Sequence, residues 1–200
     1  MNILGVIGSL NADSRTAHLV DFVLAACAAQ GAEVETLDLR RTHLPLYDPN
    51  VNYRADDLVA SVRARVLRAE GFVIGSPEYH GSMTGVTKNF FDHLYHEFSG
   101  KCFALVGSVG GGNGVSCFTH MRASVQFCHG WTLPYHVGVV SNDITAEGPT
   151  DQRSRDRLSR LGKDLVVYSG LLKAQFNRDL PLEGTDSGFA GFHRRALLGS

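Results

Sequence analysis

Five short apolar runs alternate with amphipathic stretches along the 200-residue chain. Asn2 to Ile7 is a compact apolar run that ends in Gly8-Ser9, the pattern of a strand entering a loop. Glu33 to Leu39 alternates polar and apolar strictly, which predicts a strand with one wetter face, as an edge position has. Phe72-Val73-Ile74 and Cys102 to Ser108 read as buried strands. Trp131 to Val140 reads as the fifth, and Pro134 confines it to an edge or a strand start, because proline cannot donate to a central ladder.

The intervening stretches carry helical spacing. Ser14 or Asp13 can cap a helix with Val20, Val23, Leu24, Cys27 and Ala28 inward, closed by Gly31. Asp56 and Asp57 start a second helix through Glu70, with Leu58, Val59, Val62 and Val66 on one face. Phe90, Phe91, Leu94 and Phe98 predict a third, and Phe118, Met121, Val125 and Cys128 a fourth. Leu158, Leu161, Leu165, Tyr168 and Leu172 predict a long last helix. Residues 40–54 hold two prolines and no period, so they read as a surface loop. The glycine-rich segment from Pro181 is expected to be less ordered or to lean on a partner chain.

Strands alternating with helices predict one α/β domain in three layers, with a five-stranded parallel sheet. Its extent is residues 1–180, with a C-terminal tail at 181–200. In the strand order 2-1-3-4-5, strands one, three and four are neighbours. The loops after them then converge at one edge, where open α/β sheets bind ligands.

Composition narrows the function by exclusion. A net charge of −1 gives no electrostatic reason to expect nucleic acid, an anionic membrane or docking on basic redox partners. Cys27, Cys102, Cys117 and Cys128 form no C-x-x-C pair and read as buried free thiols in a reducing compartment. No basic region with a following apolar run opens the chain, and no apolar stretch approaches about 20 residues. The expectation is a cytoplasmic protein without a membrane span.

The three converging loops carry the chemistry. The first, Gly8 to Thr16, offers the hydroxyls of Ser9, Ser14 and Thr16, the charge of Arg15 and the N-terminus of a helix. That set suits a terminal phosphate monoester. It has neither P-loop nor G-x-G-x-x-G spacing, and an ordinary capped turn is the competing reading. The second loop combines Pro77, Tyr79 and Gly81, an apolar wall at which a flat ligand can approach the backbone. The third, Gly110-Gly111-Gly112-Asn113, presents successive N–H groups that would stabilise negative charge, or is a flexible turn.

Other groupings fall short. His93, His96 and Glu97 sit at helical spacing without a visible third metal ligand, so no metal site is expected. No G-x-S-x-G elbow occurs. Arg63, Arg65 and Arg68, like Arg153, Arg155, Arg157 and Arg160, read as solvated helix faces.

Ser76-Pro77-Glu78-Tyr79-His80-Gly81-Ser82 through Lys88-Asn89 resembles the S-P-E-Y-N-x-S-x-P-G-x-L-K-N signature of the NADPH-dependent FMN reductase family. The resemblance spans roughly residues 2–140. It implies a flavodoxin-like fold and an FMN-dependent NAD(P)H oxidoreductase, using NADPH or NADH to reduce a small acceptor such as a flavin, quinone or azo compound. It implies that Ser9, Ser14, Arg15 and Thr16 hold the FMN phosphate. Pro77, Glu78, Tyr79, His80 and Gly81 would flank the ring, and Ser108, Gly110 and Gly111 would face its pyrimidine edge. No side chain is assigned as catalytic, because the flavin carries the hydride chemistry. A homodimer or homotetramer is implied as well. The chain departs from the signature at His80 (usually Asn), Thr84 (usually Pro) and Thr87 (usually Leu), and it lacks the arginine usual near Asn11. An electron carrier for a protein partner is the alternative, disfavoured by the near-neutral charge.

Overall fold

The computed structural model describes residues 1–53, 56–111 and 113–198. Its strands are β1 (Asn2–Ile7), β2 (Glu33–Asp38), β3 (Gly71–Gly75), β4 (Cys102–Val109), β5 (Trp131–Thr132) and β6 (Val137–Val140). They form one parallel sheet in the order β2-β1-β3-β4-β5, with β6 also pairing β4. A small antiparallel pair, β7 (Ile144–Thr145) and β8 (Gly148–Pro149), follows. The helices are α1 (Arg15–Ala28), α2 (Asp57–Arg68), α3 (Gly85–Asp92), α4 (Val115–Phe127), α5 (Gln152–Asp179) and α6 (Gly188–Leu198).

The strand pleat divides the core in two. Leu4, Val6, Phe72, Ile74, Phe103 and Leu105 pack on α2, α3 and α4 on one face. Ile3, Ile7, Val73, Ala104 and Val106 pack on α1 and α5 on the other. The result is the three-layer flavodoxin-like order expected, with β2 at an edge; its first four residues, Val34 included, are exposed on both faces, so the single wet face its alternation predicts does not appear. Ser14 caps α1 by accepting from the Ala17 N–H, and Asp56 caps α2 by accepting from Leu58 and Val59. All four cysteines are buried and free, and burial pushes each thiol up to about 12.

Several expectations needed correction. The fifth strand is split between β5 and β6: Leu133 N–H still donates to the Phe103 carbonyl, Pro134 to His136 then leave the ladder, and the N–H that Pro134 lacks would have faced the free rim. α3 stops at Asp92, and Phe98 reaches the core from a 3₁₀ turn, His96–Phe98. Leu58 and Tyr168 face solvent beside their buried helix neighbours. Arg63 is not on a solvated face: its Nε meets the buried Glu97 carboxylate at 2.5 Å, and it donates to the Ala196 carbonyl. Arg65 likewise pairs with Glu35 and donates to the Thr36 carbonyl. Arg155, half-buried, donates to the Glu147 and Pro149 carbonyls, whereas Arg157 stays exposed as expected while donating to the His136 carbonyl. The glycine-rich segment carries a 3₁₀ turn, Gly184–Ser187, and then α6, which packs on α5 and on the 96–98 turn of its own chain. Of the surface loop expected at 40–54, Arg54 lies outside the described residues.

Candidate functional site

The loops after β1, β3 and β4 meet at the carboxyl edge of the sheet, laced by main-chain bonds. Gly8 N–H donates to the Gly75 carbonyl (2.8 Å), and Glu78 N–H to the Ser108 carbonyl (3.1 Å). Gly8 is required there: a Cβ would stand 1.8 Å from Thr87 Oγ1 and 2.8 Å from the Gly75 oxygen.

In the first loop, Ser9 is buried and its hydroxyl accepts from the Asn11 N–H (3.3 Å). The first N–H groups of α1, from Arg15 and Thr16, have no carbonyl a turn back to bond, as at any helix start. Arg15 turns its guanidinium across to the Ser141 carbonyl (2.5 Å). Sequence reasoning missed a second arginine at this loop. Arg40, at the carboxyl end of neighbouring β2, donates to the Ala12 carbonyl (2.8 Å) while pairing with Asp38. Its position just after an edge strand beside β1 was the available signal.

The second loop is a tight hairpin. Tyr79 and Ser82 exchange main-chain bonds of 3.0 and 3.1 Å. His80 and Gly81 between them have φ of 51° and 77°. Two left-handed central residues make a type I′ turn, whose preferred pair is Asn-Gly. The signature's asparagine is thus a backbone requirement, which His80 meets at some cost. Pro77 is buried, Glu78 half-buried, and Tyr79 and His80 exposed at the tip. His120 of α4 holds the hairpin through Ser82 Oγ (2.9 Å).

In the third loop, a Cβ at Gly110 or Gly111 would meet nothing within 4 Å, so both face open space. Gly112 lies outside the described residues. Ser108 is turned inward instead, 2.9 Å from Thr16 Oγ1, with both side chains buried. This pair braces α1 against β4, and the two hydroxyls are spent on each other.

Thr84 and Thr87, noted in the sequence only as departures from the signature, are buried at the start of α3. Thr84 caps that helix, accepting from the Thr87 N–H, and donates to the Gly8 carbonyl. A separate cleft of about 560 Å³ lies between α1 and the β1–β2 edge, and of the expected residues only Ser14 lines it. There Arg40, Arg41 and Arg65 face Asp13, Asp21 and Asp38, so its charges nearly cancel. His93, His96 and Glu97 diverge. His93 meets the Pro45 carbonyl, His96 stacks with His129, and Glu97 pairs with Arg63. The described residues hold no group of metal-binding side chains.

Three loops laced at the switch edge of a doubly wound parallel sheet make this a flavodoxin-like α/β protein, a class whose mononucleotide sites lie at that edge. The chain belongs to the NADPH-dependent FMN reductase family, whose model matches residues 1–144. It is an FMN-dependent NAD(P)H oxidoreductase. It is 31% identical over 153 residues to the NADPH azoreductase of a Bacillus species, covering 76% of this chain and 85% of that one. It is 28% identical over 149 residues to the FMN-dependent NADPH-azoreductase of Staphylococcus saprophyticus, covering 72% and 79%. Among solved structures, the flavoenzyme NAD(P)H:acceptor oxidoreductase FerB of Paracoccus denitrificans superposes with a TM-score of 0.72 at 18% identity, over 85% of this chain and 97% of that one. An archaeal flavodoxin superposes at 0.61 and 14% identity, over 85% and 99%. Those two show the shared fold.

Proposed function

We propose that the three-loop crevice is the FMN site and that the electrons go to a small acceptor: a flavin, a quinone or an azo compound. The observation that carries this reading is the lacing of the loops after β1, β3 and β4 at one edge of the sheet, with open space over Gly110 and Gly111. The phosphate is held by the Ser9 and Ser14 hydroxyls and by the free N–H groups of Arg15 and Thr16, with Arg15 and Arg40 supplying positive charge nearby. Pro77 to Gly81 form the wall beside the ring, with Glu78 held by its N–H bond to β4. The Gly110 and Gly111 N–H groups, beside open space, would stabilise the negative charge that reduction brings. Ser108 acts from behind, by fixing α1 to β4. Bound there, FMN would supply the hydride chemistry between NADPH and the acceptor, and the chain would bind and orient it. The exposed Tyr79 and His80 leave the crevice mouth to the acceptor, and the azoreductase names of the two relatives support an azo substrate.

The subunit state is a homodimer or a dimer of dimers. Val115, Ala123 and Phe127 form an exposed stripe on α4, supplemented by Tyr95, and support such an interface. Among the described residues no helix is long and apolar enough to cross a membrane. With four reduced buried thiols, the cytoplasm is the compartment proposed. An absorbance spectrum of the purified protein, before and after anaerobic NADPH, tests the assignment. Flavin bands that bleach are expected, and protein that neither binds FMN nor speeds NADPH oxidation with any such acceptor sinks it.

A further inference from the structure

Two of the three positions where the chain departs from its family signature touch each other and the first loop. Thr84 Oγ1 lies 2.7 Å from the Gly8 carbonyl, 2.8 Å from Thr87 Oγ1 and 3.2 Å from the Thr87 N–H. Thr87 Oγ1 makes a longer approach to the same carbonyl, 3.4 Å. Thr84 has one proton to give, and Gly8 has the closest acceptor. Thr87 must then donate its own proton to Thr84 Oγ1. The result is a directed chain, Thr87 O–H to Thr84 O–H to Gly8 C=O, each bond polarising the next. Thr84 is 5% exposed and Thr87 0%, so no water competes. The residues usual in the family, proline and leucine, can donate nothing here.

We propose that Thr84 and Thr87 are positioning residues that set the first loop for the phosphate of the flavin, a role that rests on the FMN reading above. A trans peptide points its C=O and N–H in opposite directions. Pinning the Gly8 carbonyl toward α3 therefore turns the Ser9 N–H away from α3, toward the crevice. Both ends of the Gly8 unit are fixed, since its N–H is held by the Gly75 carbonyl. The lack of room for a Cβ at Gly8, 1.8 Å from Thr87 Oγ1, shows how closely the clamp is seated. The two threonines thus tie the wall beside the ring to the cradle for the phosphate, and set the span between them.

The test compares two ligands that differ only at the anchored end, FMN and riboflavin. Both are titrated into apoprotein by flavin fluorescence, for the wild type and for Thr84→Val, Thr84→Ser and Thr87→Val. Loss of one buried hydrogen bond in the clamp weakens FMN by about tenfold in both valine variants, while Thr84→Ser stays within about twofold of wild type. Riboflavin binding changes by less than about twofold throughout, because it has no phosphate for the loop to hold. Thr87→Val keeps the Thr84 cap of α3, so it decides the matter if Thr84→Val fails to fold. Equal weakening of both flavins, or none of either, overturns the positioning role while leaving the FMN site standing. A wild-type protein that binds neither flavin overturns both.

Discussion

The two edges of the sheet handle polarity in opposite ways. At the amino edge, charges are buried and spent within the chain. Glu97 is closed by Arg63 and by the Tyr95 N–H, and Lys101 donates to the Val66 and Leu67 carbonyls at the end of α2. Glu70 meets Lys173 and, more loosely, the N-terminal amine. At the carboxyl edge the buried side chains are neutral hydroxyls bonded among themselves, and the charged Arg15 and Arg40 are half-buried at the rim, on main-chain carbonyls and Asp38. The edge that holds the fold closes its charges inside, and the edge proposed to recognise keeps them at its rim.

The sharpest break of this contrast is at Gly8. Gly8→Ala forces a Cβ against Thr87 Oγ1 and the Gly75 carbonyl, and FMN affinity falls by about a hundredfold, read by fluorescence titration. Glu97→Ala does the reverse. It leaves Arg63 partly buried and unpaired and costs about 2–3 kcal/mol in urea denaturation, discounted for the exposure of Arg63, with FMN affinity unchanged. If that variant loses flavin binding as well, the two edges are not independent.

Acid should reach the amino edge first. Burial, and then Lys101, hold His193 of α6 down to about 4, against 6.5 unfolded, with Glu97 pulling the other way. Between those values the unfolded chain binds more protons than the folded one, so stability drops as pH falls through the window. Trp131, the single tryptophan, meets Phe189 of α6 edge-on and reports the loosening by fluorescence between pH 6.5 and 4. His193→Gln flattens that response. The same argument gives Lys101, pushed down to about 7 by burial, a rise in stability from pH 7 to 10.5. The smallest effect belongs to the hairpin. His80→Asn suits the type I′ turn better and raises stability by about 0.5 kcal/mol in the same urea assay, whereas Gly81→Ala lowers it by about 1 kcal/mol.

Legibility follows from the range of the interactions. Strand runs, caps and helix faces are local, so the layers, the strand order and the Ser14 cap were readable, and the signature from Ser76 to Asn89 pointed to the crevice. What escaped depends on contacts far along the chain. Arg40 reaches Ala12, Arg63 reaches Glu97, and Ser108 turns to Thr16, across separations of 28 to 92 residues that no spacing rule encodes. The departures at Thr84 and Thr87 were visible as letters, but their mutual contact with Gly8 was not. α6 was hidden because its apolar face, with Phe189 and Ala196, is short and interrupted by glycine and arginine.

The split in the fifth strand has a consequence for the protein at high concentration. A parallel sheet ends in two rows of unspent backbone groups, and each is a template for another chain to add to. Here one row is broken from Pro134 to His136, just past the last bond from Leu133 to the Phe103 carbonyl, with proline opening the gap. The other, β2, carries Glu33 and Glu35 exposed. Neither rim offers a long, uncharged run, so interrupting the ladder at Pro134 works against runaway strand addition as much as it shapes the edge.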